Sequence, residues 1–255
     1  MKIATWNVNS VRARHDALIS WLSRAEPDVL CLQETKVVDD DFPTEELLRL
    51  GYAVAMAGQK TYNGVAILSR LPMTDVRVGL DDEPSPREQR LIRATVQGVR
   101  VYSAYVPNGK ALDSPSFPLK LAWLRRLRET LAADGAPDRP AAVCGDYNIA
   151  PDDRDVYDPV ALRGQLHFHP EEHRALADLT SVGLEDVYRR HHPEPGKYSW
   201  WDYRTLGFPR NRGLRIDLIY ATPPLAARCT AAEIDVEPRG GERPSDHTPM
   251  IATFA

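Results

Sequence analysis

Cysteine is scarce: three in 255 residues, Cys31, Cys144 and Cys229, with no CxxC pair. A disulfide frame or a zinc knuckle needs paired thiols, so neither organises this chain. Cys31 and Cys144 each close an apolar run (DVLC, AAVC) and read as small buried thiols, kept reduced in a cytoplasmic protein. Long hydrophobic runs are missing too. Nothing approaches the roughly 18 to 20 apolar residues of a membrane span, and MKIATWNVNS at the start lacks the apolar core of a signal peptide, so no membrane partner is expected. Nor is there an excess of basic charge. Lys and Arg number 32 against 36 Asp and Glu, a net charge of −4, so a nucleic-acid partner would need a local basic patch. The absence of GxGxxG and GxxxxGK[ST] removes the usual dinucleotide and P-loop readings.

What is present is ordinary globular composition, 43% hydrophobic and 27% charged, with no linker, repeat or low-complexity segment. One domain spanning residues 1–255 is expected. Strand-like runs occupy residues 2–8, 29–32, 52–57, 65–69, 75–78, 91–96, 99–106, 141–145, 214–221, 230–236 and 249–254. Apolar spacings of three and four predict helices over residues 11–25, 42–50, 117–131 and 171–182, the first capped by Asn9 and Ser10 and the third carrying a basic outer face of Arg125, Arg126 and Arg128. Strands in both halves with helices between them, and no strand opening onto a Gly-rich turn, fit a two-layer or four-layer α/β sandwich better than a doubly wound sheet.

The chemistry lies in the placement of polar groups. Asn7, Glu34, Tyr105, Asp146, Asn148, Asp217, Asp246 and His247 each sit inside or at the end of a strand-like run (TWNVN, LQETK, AYVPNG, GDYN, RIDLIY, SDHTP). Taken singly these are unremarkable: an Asp after Gly is usually turn chemistry, and one of seven histidines is usually structural. His167, His169, His191 and His192 read as loop residues. Carboxylates and amides beside buried strands are costly without partners, however, so several on one rim imply a cation or a shared hydrogen-bond network. The donors are oxygens apart from one imidazole, a set that suits Mg²⁺ or Mn²⁺ better than structural Zn²⁺.

The segments TWNVNSVRAR, LQETK, AYVPNG, GDYNIAP, SWWDYR, NRGLRIDLIY and PSDHTP resemble the successive signatures of exodeoxyribonuclease III, the bacterial branch of the class II AP endonucleases, in the endonuclease/exonuclease/phosphatase superfamily. GDxN and SDH identify only the superfamily, whereas LQETK with SWWDYR and NRGLRID points to its DNA-repair branch. The resemblance implies a DNase I-like α/β fold, a four-layer sandwich of two mixed sheets flanked by helices. It implies Glu34 as the principal metal-binding carboxylate, with Asn7 and Asp246 near the same cation, and Asp146 and Asn148 as the pair that prepares the attacking water. It further implies His247 with Asp217 as a dyad beside the scissile phosphate, and Tyr105 as a phenol hydrogen-bonding that phosphate. The choice of general base stays open.

The stretch YSWWDYRTLGFPRNRGLR (residues 198–215) holds four arginines and two tryptophans, side-chain types that grip phosphates and pack on sugars or unstacked bases. It also fits an amphipathic corner with both tryptophans buried. The resemblance makes Trp200 the wall of a pocket for an extruded abasic sugar and Arg90 a phosphate-contacting arginine; Lys110, by its position after YVPNG, and Arg212 of the arginine-rich loop are the further candidate DNA contacts. The expected activity is that of a Mg²⁺-dependent (or Mn²⁺-dependent) monomer acting on double-stranded DNA, incising 5′ to abasic sites and trimming 3′ ends in base-excision repair. With no extension ahead of the first strand, accessory roles housed in such extensions are not expected. The rival readings are a superfamily phosphodiesterase or phosphatase with a non-DNA substrate, and a catalytically silent DNA-binding module.

Overall fold

The computed structural model describes residues 1–82 and 88–255. In chain order its elements are β1 (Lys2–Asn7), α1 (His15–Ala25), β2 (Val29–Gln33), α2 (Thr44–Arg49), β3 (Ala53–Ala57), β4 (Val65–Ser69), β5 (Met73–Val78), β6 (Leu91–Val96) and β7 (Val99–Tyr105). There follow α3 (Ser116–Ala133), β8 (Ala141–Asp146), α4 (Pro159–Leu162), α5 (Pro170–Thr180), β9 (Glu185–Asp186), α6 (Val187–His191), β10 (Asp217–Ala221), α7 (Pro223–Ala226), β11 (Cys229–Ile234) and β12 (Met250–Phe254). The strands form two six-stranded sheets, ordered β11-β12-β1-β2-β4-β3 and β5-β6-β7-β8-β10-β9.

Both sheets are mixed, and in the same way. β1 and β2 run parallel, as do β7 and β8, and each parallel pair is flanked by antiparallel neighbours. The carboxyl ends of β1, β2, β7 and β8 therefore gather at one edge, together with the amino ends of β10 and β12. Alternation along each strand builds the layers. Ile3, Val29, Cys31, Val65, Ile67, Val101, Ala142, Cys144 and Ile219 face the other sheet, forming one core between the two. Their neighbours Ala4, Trp6, Leu30, Leu32, Ala66 and Leu68 face Leu18, Trp21 and Leu22 of α1 and Leu47 of α2. On the far side, Tyr102, Ala141 and Val143 meet Leu124, Leu127 and Leu131 of α3 and Leu176 and Leu179 of α5. The result is helix, sheet, sheet, helix: the four-layer sandwich. None of the described helices is long and apolar enough to cross a membrane. The three cysteines are free and buried.

The first helix starts later than the sequence suggests. Residues 11–14 form a turn, and α1 begins at His15 with no side-chain cap. Asn9 is engaged elsewhere, its amide donating to Asp246 Oδ1 (2.9 Å) and its Oδ1 accepting from Lys36 Nζ (2.6 Å). A missing cap costs about 1 kcal/mol, less than the roughly 1.5 to 3 kcal/mol that burying Leu18 or Leu22 contributes, so packing holds the helix. The short elements α4, α6, α7 and β9 carry too few residues for a period to show.

Gly145 is required where β8 passes β7. A Cβ there would lie 1.8 Å from the Ala104 carbonyl oxygen. Backbone on both sides is locked in the ladder, Ala104 pairing with Gly145 and Leu218 with Gly145. Gly145→Ala is expected to destabilise by about 3 kcal/mol, a fall in Tm of roughly 6 to 12 °C by thermal unfolding; an unchanged Tm would contradict this packing.

Candidate active site

Period-2 alternation aims the strand-end residues into one slot. Asn7 shares a face of β1 with Ile3, Tyr105 a face of β7 with Val101, Asp146 a face of β8 with Cys144, and Asp217 a face of β10 with Ile219; those apolar partners all line the core between the sheets. At the open end of that core the apolar residues give way to polar ones. Register fixes the pairs, with Asp146 opposite Tyr105 on one side and Asp217 on the other.

Asp146 is the centre. Its Oδ2 accepts from Asn7 Nδ2 at 2.9 Å and lies 3.7 Å from His247 Nε2, while its Oδ1 accepts from the Asn148 backbone N–H at 2.9 Å. Burial pushes this carboxyl up to about 7, with the charges of Asp217 and Glu34 adding to the rise and the His247 imidazolium opposing it. His247 Nδ1 meets Asp217 Oδ2 at 2.8 Å. Burial alone would lower the imidazole, but Asp217 and Asp146 outweigh it and raise His247 to about 10, so it is a cation at neutral pH. Asp217 is held from behind by Ser199, whose Oγ accepts from the Ile216 and Asp217 amides. Ser245 holds the His247 loop, donating to the Asn7 carbonyl at 2.7 Å and accepting from the His247 amide.

Glu34 lies just past β2 with φ +50. Its Oε1 accepts from Asn7 Nδ2 (2.8 Å) and its Oε2 pairs with Lys36 Nζ (2.8 Å). Burial pushes the carboxyl up, yet Lys36, Asn7 and the His247 charge leave it below its ordinary value, so it is ionised. Tyr105 has its guanidinium neighbour Arg90 4.8 Å over the ring, and burial together with Glu34 and Asp146 keeps its phenol protonated. Asn148, at φ +52, donates from Nδ2 to the Val106 carbonyl (3.0 Å) and accepts on Oδ1 from Asn108 Nδ2 (2.9 Å).

Glu34, Asp146 and His247 bring ligand-type atoms within 4.8 Å of one another. With His247 protonated, the lone pairs in that group are carboxylate oxygens, a hard donor set that fits a divalent cation of the Mg²⁺ or Mn²⁺ kind and not a thiol-bound metal. The other two expected metal residues stand differently. Asn7 turns its N–H groups, not its carbonyl, towards Glu34 and Asp146, and its Oδ1 accepts from the Asn9 amide. Asp246 has Oδ1 taken by Asn9 and Oδ2 by Trp200 Nε1 (3.0 Å), with burial opposed by His247 and these two donors to leave it ionised.

The aromatic and basic loop divides sharply. Trp201 is buried at 2% exposure, and Trp200 lines the site, its ring 6.5 Å from His247 and 6.3 Å from His167. Arg204, Arg210 and Arg212 are exposed, but Arg215 is fully buried and pairs with Asp155 and Asp186, each at 2.6 Å. Arg215 is therefore structural and cannot grip a phosphate. Lys110 is exposed at φ +60, and Arg90 is mostly covered, bonded to Glu88 and to the Tyr105 carbonyl.

Sequence reasoning passed over Asn9, Lys36, Asn108, Lys120 and His167. Asn9, Lys36 and Asn108 lie within the motifs that signalled their neighbours, the available clue. His167 gave no such signal: a loop residue at φ +71, it places Nδ1 2.6 Å from the Asn148 carbonyl, and burial lowers its imidazole to about 3, so it is neutral and donates there.

A model of the Endonuclease/Exonuclease/phosphatase family matches residues 4–247. Exodeoxyribonuclease III of Haemophilus influenzae is 36% identical over 266 residues, which cover 100% of each chain. Among solved structures, a 3′ phosphatase from Neisseria bound to a product DNA hairpin is similar at TM-score 0.97 and 43% identity, covering 100% of this chain and 99% of that one. An AP endonuclease from Archaeoglobus fulgidus is similar at TM-score 0.95 and 44% identity, with the same coverage.

Proposed function

The chain belongs to the endonuclease/exonuclease/phosphatase family and is a DNA-repair nuclease of the exodeoxyribonuclease III type, and we propose that it hydrolyses phosphodiesters of double-stranded DNA at 3′ ends and 5′ to abasic sites as a Mg²⁺-dependent monomer. The observation that carries this reading is the line Asp217, His247, Asp146, Asn148 at the end of the inter-sheet core. Phosphoryl transfer asks the protein for positioning and for charge opposite the phosphate oxygens. Asp146, with its raised pKa, accepts the proton of an attacking water, and Asn148 orients that water from the side. The His247 imidazolium, fixed by Asp217, and the Tyr105 phenol donate to non-bridging oxygens. Glu34 and Asp146 are the carboxylates that would hold the cation, with Asn7 spacing them. A bound Mg²⁺, or Mn²⁺, supplies positive charge to the scissile phosphate. Exposed Arg204, Arg210, Arg212 and Lys110 supply backbone contacts to the duplex. Its buried, unpaired thiols suit a reducing cytoplasm.

One observation weights the two activities. A pocket for an extruded sugar would lie against Trp200, and the His167 ring stands beside that wall, tied to the Asn148 carbonyl. A 3′ end needs no extruded sugar. Processing of 3′ ends is therefore expected to exceed abasic incision, and His167→Ser to raise incision relative to 3′ trimming by about tenfold, the effect of removing an obstruction worth about 1.4 kcal/mol. The test incubates the protein with an abasic duplex and with a recessed 3′ end, with Mg²⁺, with EDTA, and with Mg²⁺ restored. Cleavage that survives EDTA would refute the metal dependence, and no cleavage of either DNA with Mg²⁺ would refute the assignment.

A further inference from the structure

The buried stripe of α3 runs Phe117, Lys120, Leu124, Leu127, Leu131, and one member is a lysine with no exposed surface. A desolvated ammonium is expensive unless all three of its hydrogens are used. Here they are. Nζ donates to the Asn148 carbonyl (2.6 Å), to the Asn108 carbonyl (3.4 Å) and to Glu172 Oε1, a carboxylate of α5 that is itself fully buried. The two carbonyls belong to residues whose side chains pair with each other, Asn108 Nδ2 to Asn148 Oδ1. Asn148 also occupies the left-handed region, which a residue with a side chain holds only when its surroundings fix it. Glu172 Oε2 in turn accepts from the His169 amide, tying down the loop that carries His167 to the same Asn148 carbonyl.

We propose that Lys120 is a positioning residue for phosphodiester cleavage: its ammonium, anchored by Glu172, clamps the backbone of Asn148 and Asn108 so that the Asn148 amide stays aimed beside Asp146. The inference rests on the reading of Asn148 as the group that orients the attacking water. A displacement of about 1 Å at a reacting group can cost about a hundredfold in rate, so the clamp acts on kcat more than on binding.

The test uses the full chain with Mg²⁺ and a duplex with a recessed 3′ end. Lys120→Met with Glu172→Gln removes the clamp without leaving a bare buried charge; Lys120→Gln with Glu172→Gln keeps one N–H donor at shorter reach. The first pair is expected to lower kcat roughly 10- to 100-fold with KM within about threefold, and the second to lower it less, both at near-native Tm. In an Asn148→Ala background, where the clamp still holds the backbone N–H on Asp146 but the side-chain amide is gone, the same pairs are expected to lower kcat by a clearly smaller factor than in the wild type. Wild-type kcat in the first pair, or an equal fold-loss with and without Asn148, would overturn the clamp. So would a loss of kcat that tracks a fall in Tm, which marks a structural lysine. If Asn148→Ala alone keeps wild-type kcat, the reading of Asn148 fails first, a result distinct from failure of the clamp.

Discussion

Asp146→Asn is expected to lower kcat on a recessed 3′ end by at least about a thousandfold while leaving the fold intact. A positioned base contributes about 10² to 10⁴ in rate, and here the same carboxylate also carries charge that a cation and His247 answer, so losses on two counts combine. The isosteric amide fills the same space between Tyr105 and Asp217. It should not weaken the fold. The carboxyl is raised in the folded protein, from an ordinary value near 3.8 to about 7, so its ionisation opposes folding progressively as pH rises through that window. Removing the ionisable group is therefore expected to leave Tm at pH 8 equal or higher, a sign opposite to that of most core substitutions. In the native enzyme the acid side of the rate profile is expected to follow Asp146: activity falls as pH drops through its titration, with the limb below 7 when Mg²⁺ is bound, since a cation favours the carboxylate. Near-native kcat in Asp146→Asn would remove Asp146 from the chemistry.

Legibility in the sequence followed physical scale. The strands were readable because alternation is a local property, and β4 and β6 coincide with the runs at residues 65–69 and 91–96. The polar rim was readable because strand ends are local too: Asn7, Glu34, Asp146, Asp217 and His247 each break an apolar run where the sandwich opens. What could not be read is what a charged side chain does when its partner is distant in sequence. Lys120 finds Glu172 52 residues away, and Arg215 finds Asp155 60 residues away, so both are buried although their type favours the surface. Asn9 looked like a helix cap until the SDH loop, 237 residues on, claimed its amide. The net charge of −4 misled in a similar way. It averages an acidic rim at the end of the inter-sheet core with the exposed arginines Arg204, Arg210 and Arg212 of the loop that follows Trp200, two groups of opposite sign that a single sum conceals.

His247→Gln carries the second large effect, a loss of about 10² to 10⁴ in kcat, because it removes a cation aimed from Nε2 into the same space as Asp146. The pH dependence separates this role from a packing role. His247 is lifted from 6.5 to about 10 by Asp217 and Asp146 against the effect of burial, so the native rate is expected to fall on the alkaline side as the imidazolium is lost near 10. Stability has the same sign: a group raised in the folded state contributes fully below 6.5 and loses that contribution as pH climbs towards 10. The glutamine variant has no such group, so its residual rate is expected to lack the alkaline limb, and what pH dependence of rate and Tm remains in that interval is that of Asp146, raised further once the imidazolium no longer opposes its rise. Asp217→Asn should fall between the two. It keeps the Nδ1 partner as a neutral acceptor but deletes the strongest upward influence on the imidazole, so the alkaline limb is expected to move to lower pH, with kcat at pH 8 reduced along with it. The limbs belong to the coupled pair Asp146 and His247, and rate profiles of the three proteins, taken at saturating DNA and Mg²⁺, read them directly. An alkaline limb that persists unshifted in Asp217→Asn would show that another group titrates there, and the dyad would lose its place in the mechanism.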